Sequence, residues 1–156
     1  MHRPVTVTAA GWGSGHTLFS NRRPDLGTSG SAAVAPRLWS QAGLGPADVD
    51  VAELYDAFTP LVLIALEDYG FCAKGEAGAF VRSGGTAVGG ALPVNTHGGH
   101  LSEGYVHGLN HLAEAVHQLR RDCGERQVAG AEVALSTGQP GYVAGSSSAV
   151  ILRRAS

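Results

Sequence analysis

Apolar and polar residues change their spacing from one segment of the chain to the next. Residues 5–10 alternate apolar and small polar side chains, which predicts a strand that runs into a loop at residues 11–16. Over residues 31–42 the apolar positions share one helical face, although Pro36 predicts a kink or a later helix start. Two glycines and a proline at residues 43–46 predict the end of that helix.

The middle of the chain continues this alternation of strand and helix. Residues 49–54 predict a short buried strand, and Thr59-Pro60 predicts the start of a helix that ends at Gly70. The glycine-rich residues 74–99 predict mostly loop, with one helical turn near residues 77–81. The next helix is expected at about residues 106–121, where apolar positions recur at helical spacing.

The chain closes with two strand-like runs, residues 131–137 and 147–152, which predict a hairpin with a wide loop at residues 138–145. Helices that alternate with strands, followed by an antiparallel pair, predict the α/β class. We expect a mixed sheet covered by helices on both faces, in α/β/α layers. With 156 residues and 44% apolar content, the chain predicts a single domain over residues 1–156.

Composition and charge exclude several classes of partner. A formal net charge of −2 gives no electrostatic reason to expect nucleic acid, and no dense basic cluster predicts an anionic membrane surface. The chain has neither a signal-peptide pattern nor an apolar run of about 20 residues, so we expect a cytoplasmic protein. Cys72 and Cys123 lie outside any CxxC pattern and predict reduced thiols, with Cys72 most simply a small buried hydrophobic residue.

Two segments carry most of the candidate chemistry. Residues 53–58 read Glu-Leu-Tyr-Asp-Ala-Phe, and residues 93–108 form a glycine-rich segment that contains Asn95, three histidines and Tyr105. Both segments follow predicted strands or lie on predicted loops, where side chains can converge on a substrate. The candidate residues are Tyr55, Asp56, Asn95, Thr96, His97, Gly98, Gly99, His100, Tyr105 and His107.

These segments and the order of elements resemble the C-terminal half of the thiolase superfamily. The likeness covers about residues 5–153 and is greatest to the lipid-transfer-protein or sterol-carrier branch, specifically actinobacterial retro-aldolases that cleave steroid side chains as CoA thioesters. Condensing thiolases place Asn or His at Tyr55 and a catalytic His at Tyr105, so both positions are substituted together. Ser136-Thr137-Gly138 stands where thiolases carry a Cys-x-Gly motif, which departs from the condensing pattern.

The resemblance implies a retro-aldol cleavage of a β-hydroxyacyl-CoA, with CoA as part of the substrate and no separate cofactor. Tyr55 and Tyr105 would be the acid/base pair, with neither role assigned to either residue. His97, His100 and His107 are the candidates to favour a phenolate, and Asp56 to orient a catalytic group. Candidate substrate contacts, including backbone N–H groups that could line an oxyanion site, are Asn95, Thr96, Gly98, Gly99, Gly138 and Gly141.

Simpler structural interpretations compete with these roles. Either Tyr could be a packed ring with a satisfied hydroxyl, and Asp56 could cap the helix that starts near Thr59. Asn95 and Thr96 could bond their own turn.

The spacings His97/His100 and His107/His111 suggest a metal site. We expect no metal, because no carboxylate or Cys completes a compact ligand set. His111 and His117 fit an ordinary solvated helix edge.

Thiolases consist of two similar halves whose catalytic groups meet between them, so the resemblance implies a partner. It could be a separately encoded N-terminal half, a second copy of this chain, or both, and relatives also work with a small OB-fold, zinc-ribbon acyl-CoA-binding protein. Met1 ahead of the first strand indicates a genuine start, although a fragment would look the same. Two alternatives stay open: a thiolase or acyltransferase with its Cys on the partner, and a non-catalytic scaffold or acyl-binding protein.

Overall fold

The computed structural model describes residues 3–15, 17–139 and 145–155. Short 3₁₀ turns occur at Ser20–Arg22, Pro46–Asp48 and Gly124–Arg126. The longer elements are the strands β1 (Val5–Ser14), β2 (Val51–Glu53), β3 (Val133–Gly138) and β4 (Ser146–Arg154), and the helices α1 (Ser31–Ala42), α2 (Thr59–Asp68), α3 (Ala77–Arg82) and α4 (Leu109–Arg120).

The four strands form one mixed sheet in the order β1-β4-β3-β2. β4 pairs antiparallel with both β1 and β3, so that Ile151 lies opposite Ala9 on one side and Leu135 on the other. β2 pairs parallel with β3. Because parallel strands end at the same edge of a sheet, the residues that follow β2 lie beside the end of β3.

Apolar residues on the two faces of the sheet belong to two separate cores. On one face Leu135 and Ile151 pack with residues of α1 and α2, including Leu38 and Leu66. On the other face their neighbours Ala134 and Leu152 pack with Ala115 and Leu119 of α4. Side chains alternate between faces along a strand, so both faces of the sheet are buried against helices. The predicted α/β class, with a mixed sheet between helical layers, is confirmed.

The first strand is longer than the sequence pattern predicts. β1 continues to Ser14, so the loop expected at residues 11–16 is wrong for residues 11–14. Gly11 and Gly13 permit the strand to pass close under α1, since a Cβ at Gly11 would lie 3.3 Å from Val34 Cγ1 and one at Gly13 3.1 Å from Val34 Cγ2. α1 begins at Ser31 with Pro36 inside it, so a later start is also wrong.

The other boundaries lie within two residues of those predicted, with one exception. The antiparallel pair of β3 and β4 is confirmed, although residues 140–144 of its loop lie outside the described residues. α4 begins at Leu109, three residues later than expected, because His107 and Gly108 have φ angles of 53° and 86° that helical residues do not adopt. None of the described helices has the length and apolar character to cross a bilayer. The cytoplasmic location stays a prediction.

Candidate active site

Two tyrosines from distant parts of the chain meet at one point. Tyr55 follows β2, and its backbone N–H donates to Thr137 Oγ1 on the neighbouring strand β3 at 2.9 Å. Tyr105 lies on the loop that precedes α4. The two phenol oxygens are 2.7 Å apart. Tyr55 is 7% exposed and Tyr105 is 52% exposed, so the pair joins a buried phenol to one that is open to solvent.

His107 extends the contact between the phenols into a chain of three groups. Its Nδ1 lies 3.0 Å from the hydroxyl oxygen of Tyr105. When Nδ1 accepts a hydrogen bond from Tyr105, the Tyr105 oxygen remains free to accept from Tyr55. Such a chain connects the buried phenol to an exposed imidazole.

The environment of Tyr55 favours the neutral phenol. Burial raises the pKa of Tyr55 above its ordinary value near 10, and its contact with Tyr105 and the negative charge of Asp56 raise it further. Tyr55 therefore holds its proton at neutral pH. A group of this kind can donate a proton or a hydrogen bond to charge that develops on a substrate.

Asp56 is held by a histidine and by the glycine-rich loop. Its Oδ1 accepts from the backbone N–H of His100 at 2.9 Å and lies 3.1 Å from His111 Nε2. Burial alone would raise the pKa of Asp56, but these hydrogen bonds and the nearby histidines lower it below its usual value. The helix cap considered for Asp56 is wrong, because α2 has Phe58 at its N-cap and no side-chain cap there.

The structure corrects the expectation for His111. Its side chain is fully buried rather than on a solvated helix edge, and its Nε2 also lies 2.8 Å from the carbonyl oxygen of Leu54. The ring stacks on His100 with centroids 4.2 Å apart, and His100 in turn contacts Tyr55 edge-on at 4.6 Å. His111 thus lies directly behind the ring that touches the phenols.

Asp56, His100 and His111 form the one group of potential metal ligands in the described ranges, with ligand atoms within 4.8 Å of one another. The expectation that no carboxylate joins the histidines in a compact set is therefore wrong. The two imidazoles are inclined by only 19°. Because the nitrogen lone pairs lie in the ring planes, nearly parallel rings direct them side by side and not toward one ion. The arrangement suits stacking and hydrogen bonding better than tetrahedral coordination.

His97 lies in a buried polar layer behind the site. Its Nδ1 is 3.0 Å from Oε2 of Glu53, and both side chains are almost fully enclosed. Burial raises the pKa of Glu53. Although burial alone would lower the pKa of His97, its contact with Glu53 raises it. This pair of titratable groups lies behind the phenols, without contact between His97 and either of them.

The side chains of Asn95 and Thr96, predicted as substrate contacts, make hydrogen bonds to other residues of the protein. The Asn95 side chain accepts from the N–H of Leu54 at 2.7 Å and donates to the Leu54 carbonyl at 2.9 Å. Thr96 Oγ1 donates to Glu53 or to Glu114, at 3.0 and 2.7 Å. These bonds fix the end of β2 and hold the polar layer together. A direct contact of either side chain with substrate stays a prediction.

The phenols open onto a cavity of about 300 Å³ between the loop and the last two strands. Its wall includes Trp12, Gly138 and the three consecutive serines Ser146, Ser147 and Ser148. An adjoining pocket of about 500 Å³ continues over Trp12 to Leu109 and Leu112. Gly141, another predicted contact, lies outside the described residues.

Comparisons with known proteins agree with this arrangement. The model of the thiolase C-terminal domain-like family matches residues 12–154. The chain belongs to this family. A 17-hydroxy-3-oxo-4-pregnene-20-carboxyl-CoA lyase of Mycobacterium tuberculosis is 50% identical over 143 residues, which cover 89% of this chain and 37% of the lyase. A steroid side-chain-cleaving aldolase of Thermomonospora curvata is 47% identical over 123 residues, 76% of this chain and 32% of the aldolase.

A solved structure of an Ltp2-ChsH2(DUF35) aldolase superposes on this thiolase C-terminal-like domain with a TM-score of 0.90 and 40% identity. The superposition covers 99% of this chain and 40% of that chain. The domain thus spans about a third of the length of the curated relatives named above. The predicted resemblance to the thiolase superfamily and its steroid-cleaving branch is confirmed.

Sequence reasoning missed several residues of the site in this thiolase C-terminal-like domain. Asn110 bridges His97 and His100. Glu114 joins Thr96 to Arg126, and Gln118 is buried beside it. The helical spacing of residues 110, 111, 114 and 118 places them on one side of α4. Four polar residues that repeat at that spacing were the signal available in the sequence.

Proposed function

We propose that this domain is the C-terminal half of a retro-aldolase that cleaves β-hydroxyacyl-CoA thioesters, with a steroid side chain as the substrate class. The observation that carries the proposal is the 2.7 Å contact between the hydroxyls of Tyr55 and Tyr105 at the wall of a cavity. Its close relatives, which bear the names of a carboxyl-CoA lyase and a steroid side-chain-cleaving aldolase, support the substrate class.

The reaction needs one proton acceptor, one proton donor and a site for a transient enolate. The base removes the proton of the β-hydroxyl, the β-carbon becomes a carbonyl, and the bond between the α- and β-carbons breaks. Its electron pair moves into the thioester as an enolate, which the acid then protonates at the α-carbon. The net change transfers one proton from oxygen to carbon. Atoms and charge balance without an oxidant, a metal or a covalent acyl-enzyme.

Within this scheme we assign different roles to the two phenols. Tyr105 acts as the base, because its hydroxyl contacts His107 Nδ1 at 3.0 Å and can pass the proton on to that exposed imidazole. Tyr55 acts as the acid, because its raised pKa keeps the phenol protonated at neutral pH. Asp56, His100 and His111 hold the loop and the Tyr55 ring in place through their hydrogen bonds and ring contacts.

The domain leaves one side of this site uncovered. Trp12 and Leu109, which border the larger pocket, are 65% and 63% exposed. An apolar patch at the mouth of a catalytic cavity favours a covering partner, and a covered site would exclude water from the enolate. We propose that an N-terminal thiolase-like half occupies this face. The alternative occupant of this face is a second copy of the chain.

We also propose an accessory acyl-CoA-binding protein with an OB fold and a zinc ribbon. The support is that the aldolase structure similar to this domain is named for two components, Ltp2 and ChsH2. Contacts to the CoA moiety would then come from outside this domain. Co-purification of the domain with its native partners, followed by mass spectrometry, tests this assignment.

The proposed activity is tested in the complete, assembled protein with a β-hydroxyacyl-CoA substrate. Tyr105→Phe and Tyr55→Phe should each lower kcat about 10²- to 10⁴-fold, the range that one acid or base contributes, while assembly stays intact. Tyr69→Phe is the matched control, because Tyr69 is buried in the core that the sheet forms with α1 and α2. Full turnover in Tyr105→Phe would exclude the mechanism. A covalent acyl intermediate trapped on the partner would instead support the thiolase or acyltransferase alternative.

A further inference from the structure

The side-chain amide of Asn110 lies between two imidazoles. Its Nδ2 is 3.4 Å from His97 Nε2 and 3.2 Å from His100 Nδ1. Asn110 belongs to the first turn of α4, so its backbone is held by the helix. One amide group therefore faces a ring nitrogen of each of two histidines that do not bond to each other.

The protons on the other nitrogens are constrained by their own partners. His97 Nδ1 lies 3.0 Å from Oε2 of Glu53, and an ionised carboxylate at that distance favours a hydrogen on Nδ1. The third ring, His111, has its Nε2 directed at two acceptors, the Leu54 carbonyl and Asp56. Its tautomer is thus set without Asn110. Two variables are left, the proton on His97 Nε2 and the tautomer of His100.

An amide presents either a donor or an acceptor to both rings at once. When His97 is neutral, its Nε2 is a lone pair that accepts from Asn110 Nδ2, and the same NH₂ group requires a lone pair at His100 Nδ1. The His100 hydrogen is then on Nε2. When His97 is protonated, its Nε2–H requires an acceptor, so a half-turn of the amide brings Oδ1 to both rings. His100 then carries its hydrogen on Nδ1, and its Nε2 becomes a lone pair.

The half-turn costs no hydrogen bond among the described residues. In the present orientation Asn110 Oδ1 is buried and has no hydrogen-bond partner in that part of the chain. Rotation exchanges one unpartnered amide atom for the other. The orientation of the amide is therefore decided by the protons on the two rings and by no competing bond.

The tautomer of His100 affects the surroundings of the phenols, because its ring contacts both of them. Its ring centroid is 4.6 Å from that of Tyr55 and 5.0 Å from that of Tyr105. His100 Nε2 is buried without a hydrogen-bond partner in the described ranges. Depending on the tautomer, this position beside both phenols holds either an N–H group or a lone pair.

We propose that Asn110 is a positioning residue that couples the proton on His97 to the tautomer of His100. The role of the coupling in turnover rests on the proposed function, but the coupling itself does not. The charged and titratable groups that face His97 are Glu53, Glu103 and Glu114. Those that face His100 are Asp56, His97, Glu103, His111 and the two tyrosines. Glu103 Oε2 lies 3.7 Å from His97 Nε2, too far for a direct hydrogen bond.

The test is ¹⁵N NMR of the histidine rings in the complete protein, labelled with ¹⁵N-histidine and titrated from about pH 5 to 9, the range around the ordinary histidine pKa. His97→Gln and His100→Gln assign the signals. In the unmodified protein the tautomer of His100 should change over the same pH range in which His97 loses its proton. A His100 tautomer that stays constant while His97 titrates overturns the proposal, and this measurement needs no variant of Asn110.

Two substitutions of Asn110 sharpen the test. Asn110→Asp presents only acceptors to both rings, so His100 should keep its hydrogen on Nδ1 throughout the titration. Asn110→Ala removes the bridge, so the two rings should titrate independently. Coupled titration in Asn110→Ala would overturn the proposal.

A kinetic measurement separates this inference from the proposed function. In Asn110→Ala we expect kcat to fall about 10- to 100-fold with KM little changed, and its pH profile to lose the inflection that follows His97. If the unmodified protein shows coupled NMR titrations but Asn110→Ala has an unchanged pH profile of kcat, the coupling has no role in turnover. If the NMR coupling is present and Tyr105→Phe retains full activity, the proposed function fails while the coupling stands.

Discussion

Gly99 lies against the carboxylate of Asp56 so closely that no side chain fits between them. A Cβ atom on Gly99 would overlap Asp56 Oδ2, and the residue also has a φ of 71°. Because of this close contact, the backbone N–H of the next residue, His100, donates a hydrogen bond to Asp56 Oδ1 at 2.9 Å. A glycine that the sequence marks only as part of a loop therefore fixes where His100 lies beside the phenols.

Replacement of Gly99 by alanine should damage both stability and activity. An L-residue with positive φ costs about 1–2 kcal/mol, and the overlap with Asp56 adds to that cost. We expect a lower melting temperature and a loss of turnover in the complete protein. The matched control is Gly130→Ala, which has a similar φ of 76° and nothing within 4 Å of the added Cβ. Equal effects in the two variants would show that the contact with Asp56 is unimportant.

Asp56→Asn should change the pH dependence of stability in the acid range. The folded-state pKa of Asp56 is lowered, so its ionised form stabilises the fold above the unfolded-state pKa near 4, and this contribution is lost as pH falls through the folded value. The difference in unfolding free energy between the unmodified protein and Asp56→Asn should shrink as pH falls below about 4. Urea unfolding at several pH values in that range measures it, and a difference that grows there on acidification would contradict this expectation.

The buried pair of Glu53 and His97 should be costly to break. Glu53→Gln removes the charge that raises the pKa of His97, so we expect that pKa to fall and the protein to lose about 3–5 kcal/mol of stability. Glu132→Gln is the control, because its contact with Arg121 is half exposed on both sides and should be worth less than about 1 kcal/mol. NMR titration of His97 and urea unfolding give the two measurements. Similar losses in both variants would argue against a buried ion pair.

The apolar face beside the site should be required for assembly. Leu109→Asp places a charge on this face, and at the first residue of α4 an acidic side chain favours the helix itself. We expect this variant to keep its secondary structure by circular dichroism and to lose its partner in size-exclusion chromatography. Val88→Asp alters another exposed apolar residue, on a loop that lines neither pocket of the site, and should assemble normally. Normal assembly of Leu109→Asp would place the partner on a different face.

Much of the fold follows from local sequence patterns. The strands and helices have clear apolar periodicities, and Gly43 ends α1 with a φ of 64° as its position predicts. The extension of β1 was not predictable in the same way, because glycines usually indicate a loop. Here Gly11 and Gly13 are required by the approach of α1, which is a tertiary contact.

The candidate site was predictable in part. The resemblance to thiolases identified Tyr55 and Tyr105 without any geometry, and the structure brings their hydroxyls into contact. The burial of His111 was not predictable, since a histidine on a polar helix is usually solvated. Its environment depends on the Leu54 carbonyl and on Asp56, which are both distant in sequence from His111. The parallel pairing of β2 and β3 places these two groups beside α4.

In the proposed mechanism two phenols act together on one substrate, and a double-mutant cycle tests this cooperation most directly. Turnover of a β-hydroxyacyl-CoA is measured in the complete protein with Tyr55→Phe, Tyr105→Phe and both substitutions. Groups that act as a unit are strongly non-additive, so the double variant should be about as slow as the slower single variant. Independent losses that multiply, or a single variant that keeps full turnover, would contradict the account.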